Sequence, residues 1–277
     1  MHDLNWLYVT QAFAESWAAE EIVDWALHRF DGQIAMASGF GPEGLVLIDM
    51  AARLRPDIRV FTIDTGVLFP ETYELMTKIE RRYGIAIERV KPALTIEEQE
   101  REHGAALWLR TPDRCCYMRK VEPLRRKLST LGAWIAAIRR DQTPDRAQAN
   151  KIEWDTKFGL VKINPLCEWT SEMVWDYLRE NEIPYNPLHD QGYPSIGCEP
   201  CTRPVAIGED PRAGRWAGFA KTECGLHQRV PLLGPLPVIQ EQISGRDAAR
   251  RVSVAWPESI GIHIAGGSAI REFRLAV

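Results

Sequence analysis

From Gln33 to Val90, short apolar runs alternate with stretches of helical periodicity. This alternation constrains the fold more than any other feature of the chain. Gln33-Ile-Ala-Met-Ala37 is a compact apolar run. Ile58–Ile63 is rich in β-branched and aromatic residues, and Gly84–Val90 has the same character. Ala133–Ile138 and Leu160–Ile163 are a fourth and a fifth run. Such runs predict strands. Ser16–Phe30 carries Trp17, Ile22, Trp25 and Ala26 at helical spacing and predicts an amphipathic helix. Leu45–Leu54 predicts a second helix, closed by Arg55-Pro56-Asp57. Pro70–Tyr83 predicts a third. Glu168–Glu182, opened by Thr170 or Ser171, predicts a fourth. Strands alternating with helices imply βαβ units: an α/β fold with a parallel twisted sheet and helices on both faces. Ligands of such sheets sit at the carboxyl ends of the strands, where Ser38–Gly44 and Asp64-Thr65-Gly66 fall.

The chain has 277 residues, enough for one large domain or two small ones and for a full core without staples. Pro184–Pro211 is rich in Pro and Gly and predicts mostly loop. Residues 228–277 change character, with Pro231, Pro235, Pro237, a basic patch over Arg246–Arg251, and no cysteine. The division expected is therefore a domain over 1–227 and a partly ordered extension over 228–277. The net charge of −4 argues against a chain-wide nucleic-acid footprint. No apolar run approaches the ~20 residues that span a bilayer. Met1–Phe13 carries Asp3 and lacks a basic stretch followed by an apolar one, so a cytoplasmic protein is expected.

Six cysteines remain, and their grouping is informative: the vicinal Cys115 and Cys116, Cys167, the C-x-x-C of Cys198 and Cys201, and a late Cys224. In a reducing compartment, metal binding or thiol chemistry is expected rather than disulfides. Four thiolates in two pairs suit zinc or an iron–sulfur cluster. Side chains of adjacent residues diverge, which makes it awkward for both to reach one small ion. A [4Fe–4S] cluster offers each thiolate its own iron, so the cluster is favoured over zinc. Two buried small hydrophobes are the plain alternative for a vicinal pair, but they leave the matching C-x-x-C unexplained.

The glycine loop Ser38-Gly39-Phe40-Gly41 permits backbone N–H groups to approach a phosphate at a helix N-terminus. It is no Walker A, because no Gly-Lys-Ser/Thr follows, and an ordinary βα turn is the plain alternative. Cys224 lies in Glu223-Cys-Gly-Leu-His227, downstream of Arg212 and Arg215. Positive charge lowers a thiol pKa and makes a nucleophile, while a buried structural cysteine is the commoner outcome for such a segment taken alone. Arg119, Lys120, Arg139, Arg140 and Arg146 fall near predicted strand or loop ends, where arginine can grip phosphate or sulfate oxygens. Solvated surface charge is the alternative for any one of them. Cys167 reads as a core or surface-edge thiol, and the tryptophans Trp6, Trp17 and Trp25 read as core. Glu100–His103 reads as an exposed helix end.

Taken together, these segments resemble the assimilatory adenylyl-sulfate and phosphoadenylyl-sulfate reductases. The resemblance runs from Trp17 to His227. It rests on Ser38–Gly44, Asp64-Thr-Gly-Val-Leu-Phe-Pro-Glu-Thr-Tyr73, Cys115-Cys-Tyr-Met-Arg-Lys-Val-Glu-Pro-Leu124, Arg139-Arg-Asp-Gln142 and Glu223–His227. It implies a fold of the adenine-nucleotide α-hydrolase-like (PP-loop) type. It also implies that Cys224 attacks the sulfur of a bound phosphosulfate, that AMP leaves, and that thioredoxin or a glutaredoxin-like dithiol protein releases sulfite. By resemblance, Lys120, Arg146, Arg212 and Arg215 hold the phosphosulfate, with Lys120 between substrate and cluster and His227 near the nucleophile. Arg139, the loop Ser38, Gly39, Phe40 and Gly41, and the turn Ile63, Asp64, Thr65 and Gly66 complete the substrate site. Cys115, Cys116, Cys198 and Cys201 ligate one [4Fe–4S] cluster. The paired cysteines match the branch that prefers adenylyl sulfate, and 3′-phosphoadenylyl sulfate is the alternative substrate. No nucleic acid or membrane partner is implied, and a homo-oligomer is allowed.

Two departures from the family pattern stand out. Trp134-Ile-Ala-Ala137 replaces the Thr-Gly that usually follows that tryptophan, and the result is strained only where a positive φ is required. The extension 228–277 is the other, because the family commonly ends after the Cys-Gly-Leu-His segment. Two other classes compete. An ATP pyrophosphatase or sulfurylase-like protein typically reads Ser-Gly-Gly-Lys-Asp-Ser in the loop and would not need Cys224. A non-catalytic protein would hold zinc on the four cysteines and a nucleotide in the loop.

Overall fold

The computed structural model describes residues 5–227; the extension 228–277 lies outside them. Helices α1 (Asn5–Ala14) and α2 (Ala19–Arg29) lead into strand β1 (Ile34–Ala37). Then follow α3 (Pro42–Leu54), β2 (Val60–Ile63), α4 (Pro70–Tyr83) and β3 (Ile87–Val90). Four helical segments come next: α5 (Ile96–His103), α6 (Leu107–Arg110), α7 (Pro112–Cys116) and α8 (Glu122–Leu128). Strands β4 (Ala133–Ala136), β5 (Ile152–Asp155) and β6 (Leu160–Ile163) and helix α9 (Ser171–Glu180) complete the frame.

The helix ends follow local chemistry. Pro42 and Pro70 occupy the first turns of α3 and α4, where no N–H partner is lost. Gly84 ends α4 in the left-handed region at φ 65°. Thr95 and Glu98 form a capping box on α5, and Thr170 caps α9 by accepting from the Met173 N–H. α3 starts earlier than the sequence suggests, inside the glycine-rich segment, because Pro42 pre-sets its first turn.

The sheet order is β3-β2-β1-β4-β6-β5. All neighbours are parallel except β5 and β6, which pair antiparallel at one edge. Side chains alternate across the sheet. Ile34 and Met36 face a core built with α1 to α4 and α9, while Ala35 faces a smaller core with Leu124 and Leu128 of α8. Helices thus cover both faces. The sequence gives no warning of β5, whose Ile152 and Trp154 alternate with Glu153 and Asp155 over only four residues. Each fully buried leucine, isoleucine or methionine on these faces contributes about 1.5–3 kcal/mol. The buried carboxylate of Asp49 ties three helices together, accepting 2.8 Å hydrogen bonds from the hydroxyls of Tyr83 and Tyr177.

β1 lies between β2 and β4, so the chain winds outward from it in both directions. That is the topological switch point, where a crevice opens at the strand ends.

Candidate active site

A cleft of about 420 Å³ occupies that crevice. Its floor is the end of β1 with Ser38, Gly39 and Gly41, the end of β2 with Ile63 and Thr65, and the end of β4 with Ala137 and Arg139. Lys120, Arg146, Arg212, Arg215, Cys224 and His227 also face it. Side chains spread over 190 residues of sequence thus meet at the strand ends.

Three residues expected in the nucleotide site shape it without lining it. Phe40 is 2% exposed, sits at φ 58° and donates its N–H to Ser38 Oγ at 3.1 Å. It anchors the loop to the core. Asp64 accepts from the Gly66 N–H at 3.0 Å and from the Tyr73 hydroxyl at 2.7 Å, which raises the Tyr73 pKa to about 12 through burial and the carboxylate's charge. Gly66 adopts φ 75°, the region a side chain resists, and so closes the turn. Ala136 and Ala137 are not among the residues with positive φ, so replacing Thr-Gly brings no backbone strain there.

Lys120 and Arg119 are not at a strand or loop end. They lie in a π-helical turn, Tyr117–Val121, that joins α7 to α8 in one continuous helical run. Such widened turns re-aim side chains. Pro112 and Pro123 interrupt the periodicity and hide the helix from a sequence reading. Arg119 points away from the cleft and donates to the Thr65 carbonyl at 2.6 Å and to Gln99 Oε1 at 3.1 Å, bracing the Asp64 turn. Arg140 also points away, onto Glu15 and Glu168 at 2.9 Å each. Lys120 is buried between cleft and cysteines. Burial alone would lower its pKa, but the sulfurs of Cys198, Cys224 and Cys116 outweigh burial and raise it.

The four paired cysteines converge. Cys115, Cys116, Cys198 and Cys201 line one buried space with Trp108, Pro112, Pro200 and Trp216. The C-x-x-C is delivered by a short 3₁₀ turn, Glu199–Cys201, whose Glu199 N–H donates to the Val67 carbonyl at 2.9 Å. Thr65, which lines the cleft, lies 3.3 Å from Cys198 Sγ through its hydroxyl. Burial and mutual repulsion push the thiol of Cys115 up to about 11 and that of Cys201 to about 12. Burial also raises Cys198, yet Lys120 and Thr65 prevail and lower it. Among the described residues no group of three or more His, Cys, Asp or Glu side chains is arranged to hold a single metal ion. As a donor set, four sulfurs around one apolar space beside Lys120 and Arg119 fit a multi-iron group better than one ion. Cys167 is 1% exposed and belongs to the core.

Residues 221–227 cross the cleft as a strap. Lys221 pairs with Asp113, and the Lys157 ammonium donates to the Gly225 carbonyl. His227 stacks on Trp134, with ring centroids 5.7 Å apart and planes 7° from parallel. Burial, then the charges of Arg146 and Lys162, holds His227 well below its usual pKa, so it is neutral at pH 7.

The arginines are less free than their sequence positions suggest. Arg139 pairs with Glu43 and with Asp141 at 2.9 Å. Arg146 meets Glu223 through Nε at 2.8 Å and Nη2 at 3.0 Å, and Gln142 through Nη1 at 2.5 Å. Arg215 donates to Ser195 Oγ and the Ile196 carbonyl at 3.2 Å each, while its Nε is buried without a partner. The sequence reading missed Glu43 and Glu223 as partners of the arginines. Each stood inside a segment already singled out, and only folding reveals which cation it meets. It also missed Trp175, His189 and Ser195, which line the cleft from α9 and the loop after it.

Known proteins resemble this chain in sequence and in fold. The phosphoadenosine phosphosulfate reductase domain matches residues 33–204. Adenosine 5'-phosphosulfate reductase 1 of Bacillus subtilis (strain 168) is 49% identical over 228 residues, covering 81% of this chain and 98% of that protein. Phosphoadenosine 5'-phosphosulfate reductase of Gloeobacter violaceus is 48% identical over 216 residues, covering 77% and 90%. Among solved structures, the phosphoadenylyl-sulfate reductase of Candida auris in its phosphate complex superposes with a TM-score of 0.64 at 30% identity, covering 73% of this chain and 98% of that one. FMN adenylyltransferase of Candida glabrata superposes with a TM-score of 0.50 at 15% identity, covering 70% and 68%, a likeness of fold alone.

Proposed function

Given that the chain belongs to the phosphoadenosine phosphosulfate reductase family, we propose that it reduces adenylyl sulfate to sulfite and AMP in sulfate assimilation, using a dithiol protein of the thioredoxin type. One observation carries the reading: the strap brings Cys224 into the cleft where Lys120 and Arg215 meet the loop of Ser38.

The steps balance with groups this chain and a dithiol supply. The Cys224 thiolate attacks the sulfur of the phosphosulfate. The S–O bond to the phosphate breaks, AMP leaves with that electron pair, and Cys224 carries an S-sulfo group. A thiolate of the dithiol then attacks Cys224 Sγ, and sulfite leaves with the S–S electron pair. The second thiol of the dithiol resolves the mixed disulfide and returns Cys224 as a thiol. Both electrons come from the dithiol. Lys120 and Arg215 stabilise the phosphate that gains charge as AMP departs. The strand ends and the Ser38 loop orient the nucleotide. His227, neutral and stacked on Trp134, holds the end of the strap against the sheet.

Cys115, Cys116, Cys198 and Cys201 would hold a [4Fe–4S] cluster, which when bound supplies a fixed, delocalised charge beside Lys120. The choice of adenylyl sulfate rests on those two cysteine pairs, since relatives named for either substrate are almost equally similar. Steady-state sulfite release with adenylyl sulfate and with its 3′-phosphorylated form tests it; a higher kcat/KM for the latter would reverse the choice. The chemistry is assigned to residues 1–227, with 228–277 outside it. Six free thiols suit a reducing, cytoplasmic setting. No helix among the described residues is long and apolar enough to cross a membrane.

Gly197 gives a sharp test of Arg215. A Cβ at Gly197 would stand 2.5 Å from Arg215 Cζ, so Gly197→Ala displaces the guanidinium while its backbone tolerates the change. The expected outcome is a folded protein whose KM for adenylyl sulfate rises about tenfold or more, the loss of one charge-assisted contact. An unchanged KM would remove Arg215 from the binding set.

A further inference from the structure

Glu223 is a buried acid on the strap beside the cleft, with its side chain 0% exposed. Its carboxylate meets three side chains from two segments, the turn of Thr143 and Arg146 and the loop of Arg212. Oε1 accepts from the Thr143 hydroxyl at 3.0 Å, both oxygens face Arg146, and Arg212 Nη2 lies 3.6 Å from Oε2. Burial disfavours its charge, but Arg146 and Arg212 prevail and hold it below the usual carboxylate range. The carboxylate therefore stays ionised in its socket at neutral pH. Its contribution is lost only as the pH falls through that lowered value. The neighbouring residue on the strap is Cys224.

His227 on Trp134 holds the far end of the strap, and two other strap contacts are weaker restraints. Lys221 meets an exposed Asp113, and Lys157 holds a backbone carbonyl that any residue would present. Exposed pairs of the first kind contribute little. A buried, doubly paired carboxylate is different, because removing one member leaves the others buried and unpaired. Glu223 also fills the fork of Arg146.

We propose that Glu223 is the docking residue of the nucleophile: its carboxylate, seated on Thr143, Arg146 and Arg212, is what places the Cys224 thiol in the cleft. It is a positioning residue, acting through Cys224. The proposal deepens the reading of Cys224 as nucleophile and rests on it, but its first test needs no substrate. The strap has a docked state, shown here, and an undocked one in which Cys224 is open to solvent. Glu223 sets the balance between them. The second half-reaction, in which a dithiol protein must reach Cys224 Sγ, draws on the undocked state.

The test is alkylation of Cys224 by iodoacetamide in the full-length protein, followed by peptide mass spectrometry across a range of pH. Glu223→Gln keeps the volume and removes the charge. Its expected result is a rise of about tenfold in the high-pH plateau rate at Cys224, with buried Cys167 unchanged. Losing a nearby negative charge would by itself move only the midpoint of the profile. Thr143→Val, outside the cleft lining, should raise the plateau in the same direction by about threefold. In turnover, Glu223→Gln should lower kcat about tenfold while the Kd for AMP, which needs no strap, stays within about twofold. A plateau at Cys224 equal to that of the parent, or one that rises in step with Cys167, would overturn the proposal. Faster alkylation together with full sulfite release would uphold docking and instead sink the assignment of Cys224 as nucleophile.

Discussion

Replacing Cys224 with serine is expected to abolish sulfite release from adenylyl sulfate while leaving the fold and substrate binding intact. The size of the loss follows from the chemistry. A serine hydroxyl is not ionised near neutral pH and attacks sulfur poorly, and loss of a covalent nucleophile costs on the order of 10⁴-fold or more. Cys224 is half-exposed on the strap, and the structural links of its neighbours run through Glu223, Gly225 and His227. Serine at this position therefore removes no packing. The Kd for AMP or adenylyl sulfate should stay within about twofold and the visible spectrum should not change. Sulfite release by Cys224→Ser at a rate comparable to the parent would refute the covalent route.

The second large effect concerns the cysteine pairs. If the pairs hold the cluster proposed above, Cys201→Ser and Cys198→Ser should each lack the iron, acid-labile sulfide and visible absorption of the parent, and should release no sulfite. The four sulfurs share one apolar space, so three ligands leave an exposed coordination position and an unbalanced charge next to Lys120. The physical route to inactivity is the lysine. Its ammonium is raised by the sulfurs of Cys198, Cys224 and Cys116, and it faces both the cysteines and the cleft. Without its partners it turns from the substrate or loses its proton more readily. Anaerobic purification, metal and sulfide analysis and a turnover assay check this together. A colourless, fully active Cys201→Ser protein would separate the cysteine pairs from the reaction.

Much of this was legible in the sequence where local chemistry decides. Pro70 and Gly84 bracket α4 at the boundaries its pattern predicts. Leu160–Ile163 is a strand because Val161 and Ile163 serve one core and Leu160 the other. The glycine loop and the Asp64 turn fell at strand ends as βαβ logic requires. What resisted reading was settled at long range. The antiparallel β5 takes its register from β6, and its own four residues alternate too briefly to announce it. Lys120 looked like a loop-end cation, yet a π turn between two prolines carries it into the interior. Arg139 and Arg146 looked like free anion clamps. Folding brings Glu43 to the first and Glu223 to the second, across 96 and 77 positions of the chain. Phe40 shows the opposite case: a residue in the middle of a phosphate-loop pattern that faces the core.

Sulfur that passes through Cys224 is caught most directly by mass spectrometry after a single turnover without reductant. The protein is incubated anaerobically with adenylyl sulfate, and AMP release and peptide masses are read together. The expected result is one equivalent of AMP and one SO₃ group added to the peptide carrying Cys224. A thioredoxin-type dithiol should then discharge that group as sulfite. Release of AMP with Cys224 unmodified, or an SO₃ group on any other residue, would rule out Cys224 as the sulfur carrier.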